Sequence, residues 1–254
     1  MPNGVLKKQK LVDNRLIGGL FAFLAKFFCL FKMMRERKQL QGVINVKEEK
    51  KKIVCDIFLN VLVVATECYA LSVNFNKNGP SMFRFYTELS NALALVACAL
   101  TAVFAFLKLF GKKIPTVVSA IKFTATVSQT ITFFVVVFIL APQYGGIEGY
   151  KSVLFYGTMI FTHLLCPLLT FVSFCFFEKS FFPVSIAFFA VVPTIIYGVI
   201  TLALNFFRIM VGPYPFLEVY RSPVITAVVC PIVFAASFFL ALAVRGVNHR
   251  NAEK

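Results

Sequence analysis

Apolar residues run along the chain in six long stretches separated by short polar segments. They lie at about Ile53–Val73, Phe83–Phe110, Ile114–Ala141, Ser152–Phe177, Phe181–Phe207 and Val224–Val244. Stretches of roughly 20 residues or more are long enough to cross the ~30 Å hydrocarbon core of a bilayer as helices. Gly and Pro mark the connections at Asn78-Gly79-Pro80, Pro142 with Gly145-Gly146, and Gly212-Pro213-Tyr214-Pro215. The pattern predicts an all-α, polytopic integral membrane protein, a six-transmembrane-helix bundle. No short repeat is visible.

Within these stretches the polar residues fall at helical spacing. Asp56, Asn60 and Glu67 share one face of the first span, and Thr87, Glu88 and Asn91 cluster in the second. The third carries Lys122, Thr126 and Gln129, and the fourth Tyr156, His163 and Thr170. Thr194, Thr201 and Asn205 align in the fifth, and Thr226, Cys230 and Ser237 in the sixth. Such stripes are expected to face the bundle interior. At ~1.5 Å per residue from the inner ends, Glu67, Gln129 and His163 each lie roughly 21 to 22 Å up. Asn91, Thr194 and Cys230 fall at roughly 20 to 26 Å, with Thr87 and Glu88 about a turn or more higher. A polar layer in the outer half of the membrane is therefore expected, comprising Glu67, Glu88, Asn91, Gln129, His163, Thr194 and Cys230. Asp56 and Lys122, nearer the inner boundary, are expected to snorkel.

The first 52 residues differ. Leu16–Phe31 is apolar except for Lys26 and is flanked by basic residues. At about 24 Å it falls short of a crossing, so an N-terminal interfacial helix is expected over 16–31, with a seventh span as the alternative. Lys32 and then Met-Met-Arg-Glu-Arg-Lys follow it, which does not fit a signal-peptide cleavage site. With the N-terminus inside, the inner segments carry 20 Lys and Arg against 5 on the opposite side. The positive-inside rule then predicts both termini in the cytoplasm. The domain reading is 1–52 basic region, 53–245 transmembrane domain and 246–254 tail, placed in a cell membrane, with a bacterial plasma membrane expected.

Composition sharpens this picture. Of 254 residues, 59% are hydrophobic and only 15% charged, well below the quarter usual for soluble domains. The net charge of +15 sits in the segments between apolar runs, so lipid headgroups rather than nucleic acid are the expected partners. All seven cysteines lie inside apolar segments without a Cys-x-x-Cys pair, so neither disulfides nor a metal site is expected. No nucleophile elbow, His-Glu-x-x-His, phosphate loop or dinucleotide fingerprint occurs, and no cofactor is expected. A hydroxyl with a histidine base is the one nucleophilic arrangement that the polar layer offers. On straight helices, however, Thr87 lies some 9 Å above His163.

Three segments carry a resemblance. Phe85-Tyr86-Thr87-Glu88-Leu89-Ser90-Asn91, Thr162-His163-Leu164-Leu165-Cys166-Pro167-Leu168-Leu169 and Tyr214-Pro215-Phe216-Leu217-Glu218 occur in order on the expected spans and loop. In this the chain resembles uncharacterised bacterial six-pass membrane proteins. More distantly, it is similar to the androgen-induced and androgen-dependent TFPI-regulating protein family of animals. The resemblance covers residues 53 to 245. It implies Thr87 as nucleophile and His163 as base in hydrolysis of fatty-acid esters of hydroxy fatty acids. This chain has Ile160 where the animal proteins carry a further His, and its Pro167 stands one position earlier than theirs.

Three readings stand at this point. The first is an intramembrane hydrolase of lipid-like esters. The second is a transporter or proton-coupled carrier using Glu67 and His163. The third is a non-catalytic membrane scaffold bound to lipid or a partner through the basic N-terminal region.

Overall fold

The computed structural model describes residues Val46–Ala252. The expected interfacial helix at 16–31 and most of the basic N-terminal region lie outside the described residues. Within them the chain is helix and connecting loop, without a strand. We label six helices in chain order. They are α1 (Val46–Asn78), α2 (Tyr86–Lys108), α3 (Thr116–Gln143), α4 (Phe161–Phe177), α5 (Ile186–Phe206) and α6 (Pro223–Ala252). Among the described residues five are long and apolar enough to cross a membrane, α4 being the shorter exception.

The packing is inside out relative to a soluble protein. On α1 the side chains of Phe58 and Val61 are 65% and 52% exposed, whereas Asp56 and Glu67 are 3% and 0% exposed. An apolar exterior costs nothing in lipid, while each enclosed polar group must find its partner on a neighbouring helix. Helix α3 is the centre of the arrangement, packing against α2, α4, α5 and α6. It presents polar groups to the interior over several consecutive turns, with Lys122, Thr126, Ser128, Gln129, Thr130 and Thr132 all buried. Aromatic contacts fill the apolar part of the core, with Phe123 of α3 against Phe174 of α4 and Phe182 of the α4–α5 loop.

The expected fourth span at Ser152–Phe177 is not one continuous helix. A short helix Ile147–Tyr150 runs into a π turn Lys151–Phe155, and the chain then breaks at Tyr156 and Gly157. Gly157 adopts a φ of 57°, in the left-handed region that glycine enters without a Cβ penalty. Helix α4 restarts as a π turn at Phe161–Leu165 and ends in another at Ser173–Phe177. Prolines account for part of this. Pro167 comes just after the π turn of α4, and Pro142 just after the π turn Val136–Leu140 of α3. A proline has no N–H to donate, and its ring crowds the carbonyl four residues back; widening the preceding turn relieves both. Pro193 and Pro231, by contrast, sit inside α5 and α6 with regular α turns around them.

The α5–α6 connection folds back over the bundle. Asn205 anchors it, accepting from the Val219 N–H at 2.7 Å and donating to the Met210 carbonyl at 3.0 Å. Tyr214-Pro215-Phe216-Leu217 forms a tight 3-10 turn in which the Tyr214 and Phe216 rings stack, with centroids 5.4 Å apart. Gly212 permits the approach, since a Cβ there would stand 2.4 Å from the Leu217 carbonyl oxygen. Gly212→Ala is expected to displace this turn at a cost of about 1 to 3 kcal/mol, the usual range for overpacking. Thermal unfolding of the purified protein in detergent checks this, and an unchanged midpoint would contradict the packing described.

Candidate functional site

Three groups of polar side chains occupy the interior. The first joins α1, α2 and α3. Gln129 donates through Nε2 to Asn91 Oδ1 at 2.6 Å, to the Ser90 carbonyl at 3.2 Å and to Glu67 Oε1 at 3.4 Å. The Gln129, Asn91 and Glu67 side chains are fully enclosed. Yet Glu67 Oε2, Asn91 Nδ2 and Gln129 Oε1 have no hydrogen-bond partner. Leaving such atoms unmet costs free energy, so this group has spare hydrogen-bonding capacity, which a proton on Glu67 would partly use. Beside it, Thr66 and Cys166 approach at 3.1 Å, tying α1 to α4.

The second group lines a cavity of about 50 Å³ beneath the Tyr214-Phe216 turn, bounded by α2, α3, α5 and α6. Thr87, Thr194 and Cys230 all contribute to its wall, together with Tyr86, Thr132 and Tyr214. The remaining wall is apolar, including Ile131, Val136 and Phe234. Tyr86 and Thr194 pair through their hydroxyls at 2.7 Å, and Cys230 Sγ donates to the Phe216 carbonyl at 3.4 Å. The Thr87 backbone N–H donates to the Tyr214 phenol oxygen at 3.3 Å. Burial pushes the Tyr214 phenol up to about 12, so it stays protonated and remains a donor at neutral pH. The two groups touch. Ser90, whose carbonyl receives Gln129, meets Thr132 of the cavity wall through its hydroxyl at 2.8 Å.

Glu88 and His163 fall outside both groups. Glu88 Oε1 accepts from Asn74 at 2.8 Å, and Asn74 in turn accepts from Thr158 at 2.8 Å, a chain joining the C-terminal part of α1 and the start of α2 to the segment just before α4. His163 lies in the π turn that opens α4, with Nδ1 2.5 Å from the Val153 carbonyl. A carbonyl only accepts, so Nδ1 carries the proton and Nε2 holds the lone pair. No hydrogen bond joins Thr87 and His163. The expected single layer thus separates: Glu67, Asn91 and Gln129 in one group, Thr87, Thr194 and Cys230 in another, with Glu88 and His163 apart.

The third group is one that spacing did not reveal. Asp56 and Lys122 do not snorkel; they are 3% and 0% exposed. Lys122 Nζ donates to Asn60 Oδ1 at 2.5 Å and to Cys98 Sγ at 3.0 Å, and stands 3.9 Å from Glu178 Oε1. Asp56 Oδ1 accepts from Asn60 Nδ2 at 3.0 Å and from Ser173 Oγ at 2.8 Å. Four helices are joined through one ammonium and two carboxylates. Snorkelling fails because α3 is surrounded by other helices, and Lys122 meets its countercharges sooner than water. The available signal was the opposite charges Asp56, Lys122 and Glu178 near the same end of three spans.

Together the fold and these groups define an all-helical protein with helices apolar enough to cross a membrane around a polar interior. No protein-family model, curated protein or solved structure matches the chain.

Removing the cation alone strands two enclosed carboxylates. Lys122→Met is therefore expected to destabilise the protein by about 3 kcal/mol or more, in the range for breaking a buried ion pair. Adding Glu178→Gln should recover part of the loss. Reversible unfolding in mixed detergent measures both, and a Lys122→Met protein as stable as wild type would show that the network carries no weight.

Proposed function

We propose that this chain is a six-span membrane protein with both termini in the cytoplasm, α4 and the preceding short helix together making the fourth crossing. Reporter fusions at each terminus are expected to give a cytoplasmic signal. A periplasmic signal at either end would overturn this topology.

Its proposed activity is hydrolysis of a lipid-like ester. The observation that supports this reading is that Thr87 lines an apolar cavity together with Tyr86, Thr194 and Tyr214. An apolar wall of this kind suits an acyl chain, which the cavity of about 50 Å³ would admit only after the Tyr214-Phe216 turn or a neighbouring helix moves aside. In the proposed reaction His163 Nε2 takes the Thr87 proton as the hydroxyl oxygen bonds to the ester carbonyl carbon. The alcohol then leaves with that proton, and water hydrolyses the acyl-threonine. Tyr214, protonated and hydrogen-bonded at Thr87, is suited to donate to the carbonyl oxygen as it gains charge. His163 must swing or shift with α4 to reach Thr87, and the turns around Gly157 and Pro167 are where that movement would be absorbed. The role of His163 rests on the resemblance of its segment and on the tautomer that Val153 favours.

With protein in lipid nanodiscs and a fluorogenic long-chain ester, Thr87→Ala and His163→Ala are each expected to lower turnover by about 10²-fold or more, the usual contribution of positioned acid–base groups. Retained turnover in either variant would sink the pair as a catalytic unit.

A second reading is favoured by the unmet atoms of Glu67, Asn91 and Gln129. They suit a proton-coupled carrier in which Glu67 exchanges a proton near the membrane interior. Gradient-dependent uptake into proteoliposomes that is lost in Glu67→Gln, with ester turnover absent in wild type, would select this reading instead.

A further inference from the structure

At the end of the bundle opposite the Thr87 cavity, a pocket of about 480 Å³ opens between the α2–α3 connection and the α4–α5 connection. Its wall carries Lys108, Lys112, Lys113 and Lys179, contributed by those two connections and the last turn of α2. Lys112, Lys113 and Lys179 are exposed, and no described carboxylate forms an ion pair with them. Asp56 and Glu178 also line this pocket, with Asp56 Oδ1 accepting from Asn60 and Ser173 and Glu178 Oε1 standing 3.9 Å from Lys122 Nζ. The wall thus carries four lysines against two carboxylates, an excess of positive charge.

A second observation points the same way. Ser180 also lines this pocket, and it is 7% exposed. Its Oγ has no hydrogen-bond partner. A buried hydroxyl with its bonding capacity unspent, in a wall that also carries four lysines, fits an acceptor that is anionic and oxygen-rich. Phe110, Val117 and Phe181, each more than 60% exposed, lie close in the chain to the lining residues Gly111, Ser119 and Ser180. Cations facing the pocket and aromatic or aliphatic side chains beside it match the headgroup and chain regions of a lipid.

We infer that this pocket binds a phosphate group, with Lys112, Lys113 and Lys179 supplying charge and Ser180 a directed hydrogen bond. The bearer is an anionic phospholipid headgroup or a soluble phosphate compound of the same chemistry. The inference is independent of the ester-hydrolase reading, because the two regions share no residue.

Native mass spectrometry of the purified full-length protein provides the test, with dioleoyl phosphatidic acid, dioleoyl phosphatidylcholine and glycerol 3-phosphate as probes. Wild type is expected to retain phosphatidic acid at least about tenfold more strongly than phosphatidylcholine, as charge-assisted hydrogen bonds to an exposed phosphate would give. A variant carrying Lys112→Ala, Lys113→Ala and Lys179→Ala should lose that preference. Ser180→Ala should weaken retention several-fold, while Lys77→Ala with Lys151→Ala, at the other end of the bundle, leaves it unchanged. If millimolar glycerol 3-phosphate displaces the lipid, a soluble phosphate suffices; if not, the lipid is the occupant. Equal retention of phosphatidic acid by wild type and the triple variant would overturn the site. So would an unaltered Ser180→Ala protein, since that result reduces the pocket to diffuse surface attraction.

Discussion

An ammonium group held out of reach of water must be met by the protein itself, and in this bundle that requirement falls on Lys122. Its partners come from α1, α2 and the end of α4, so the charge cannot be satisfied until those helices stand in register around α3. In lipid, apolar contacts alone select poorly among helix arrangements, because the tails are as apolar as the side chains. The Asp56–Asn60–Lys122–Glu178 network supplies the missing selectivity. Ser173 closes it by donating to Asp56 and accepting from Asn60. With α1 to α4 fixed at one end, the remaining polar groups further along the same helices are brought to common levels.

That arrangement explains why Glu67, Asn91 and Gln129 can be tolerated without full satisfaction. Each unmet atom is a cost, and the network one to two turns away offsets it by holding the helices together. From Gln129 the polar groups continue through Ser90 to Thr132, which faces the Thr87 cavity. The Glu67 group and the Thr87 cavity are thus linked through a few hydrogen bonds.

Much of this is legible in the sequence where helices are regular. Counting along straight spans puts Glu67 and Gln129 at one level, and they do hydrogen-bond, because α1 and α3 keep α-helical rise from their N-terminal ends to those residues. The same counting fails for His163. A straight span over Ser152–Phe177 takes no account of the break at Gly157 or the π turns on either side of Cys166–Val172, each of which rotates and shifts the residues beyond it. Depth counting also misjudges Lys122, for a different reason. Snorkelling assumes that a helix has a free side facing the boundary, and only the packing of α3 among its neighbouring helices reveals that it has none.

Two features that look separate in the sequence share a physical logic. The Tyr214-Pro215-Phe216-Leu217-Glu218 segment reads as a tight turn into the last span, and it is one, but its stacked rings also roof the cavity above Thr87. Phe216 receives the Cys230 thiol through its carbonyl, and Tyr214 receives the Thr87 amide through its phenol oxygen, so the roof is pinned to both α6 and α2. A loop held only by apolar contact could lift away into lipid at little cost. One held by two hydrogen bonds in an apolar setting lifts at the cost of both, and on the proposed hydrolase reading the polar head of an acyl chain would offset that cost by replacing them.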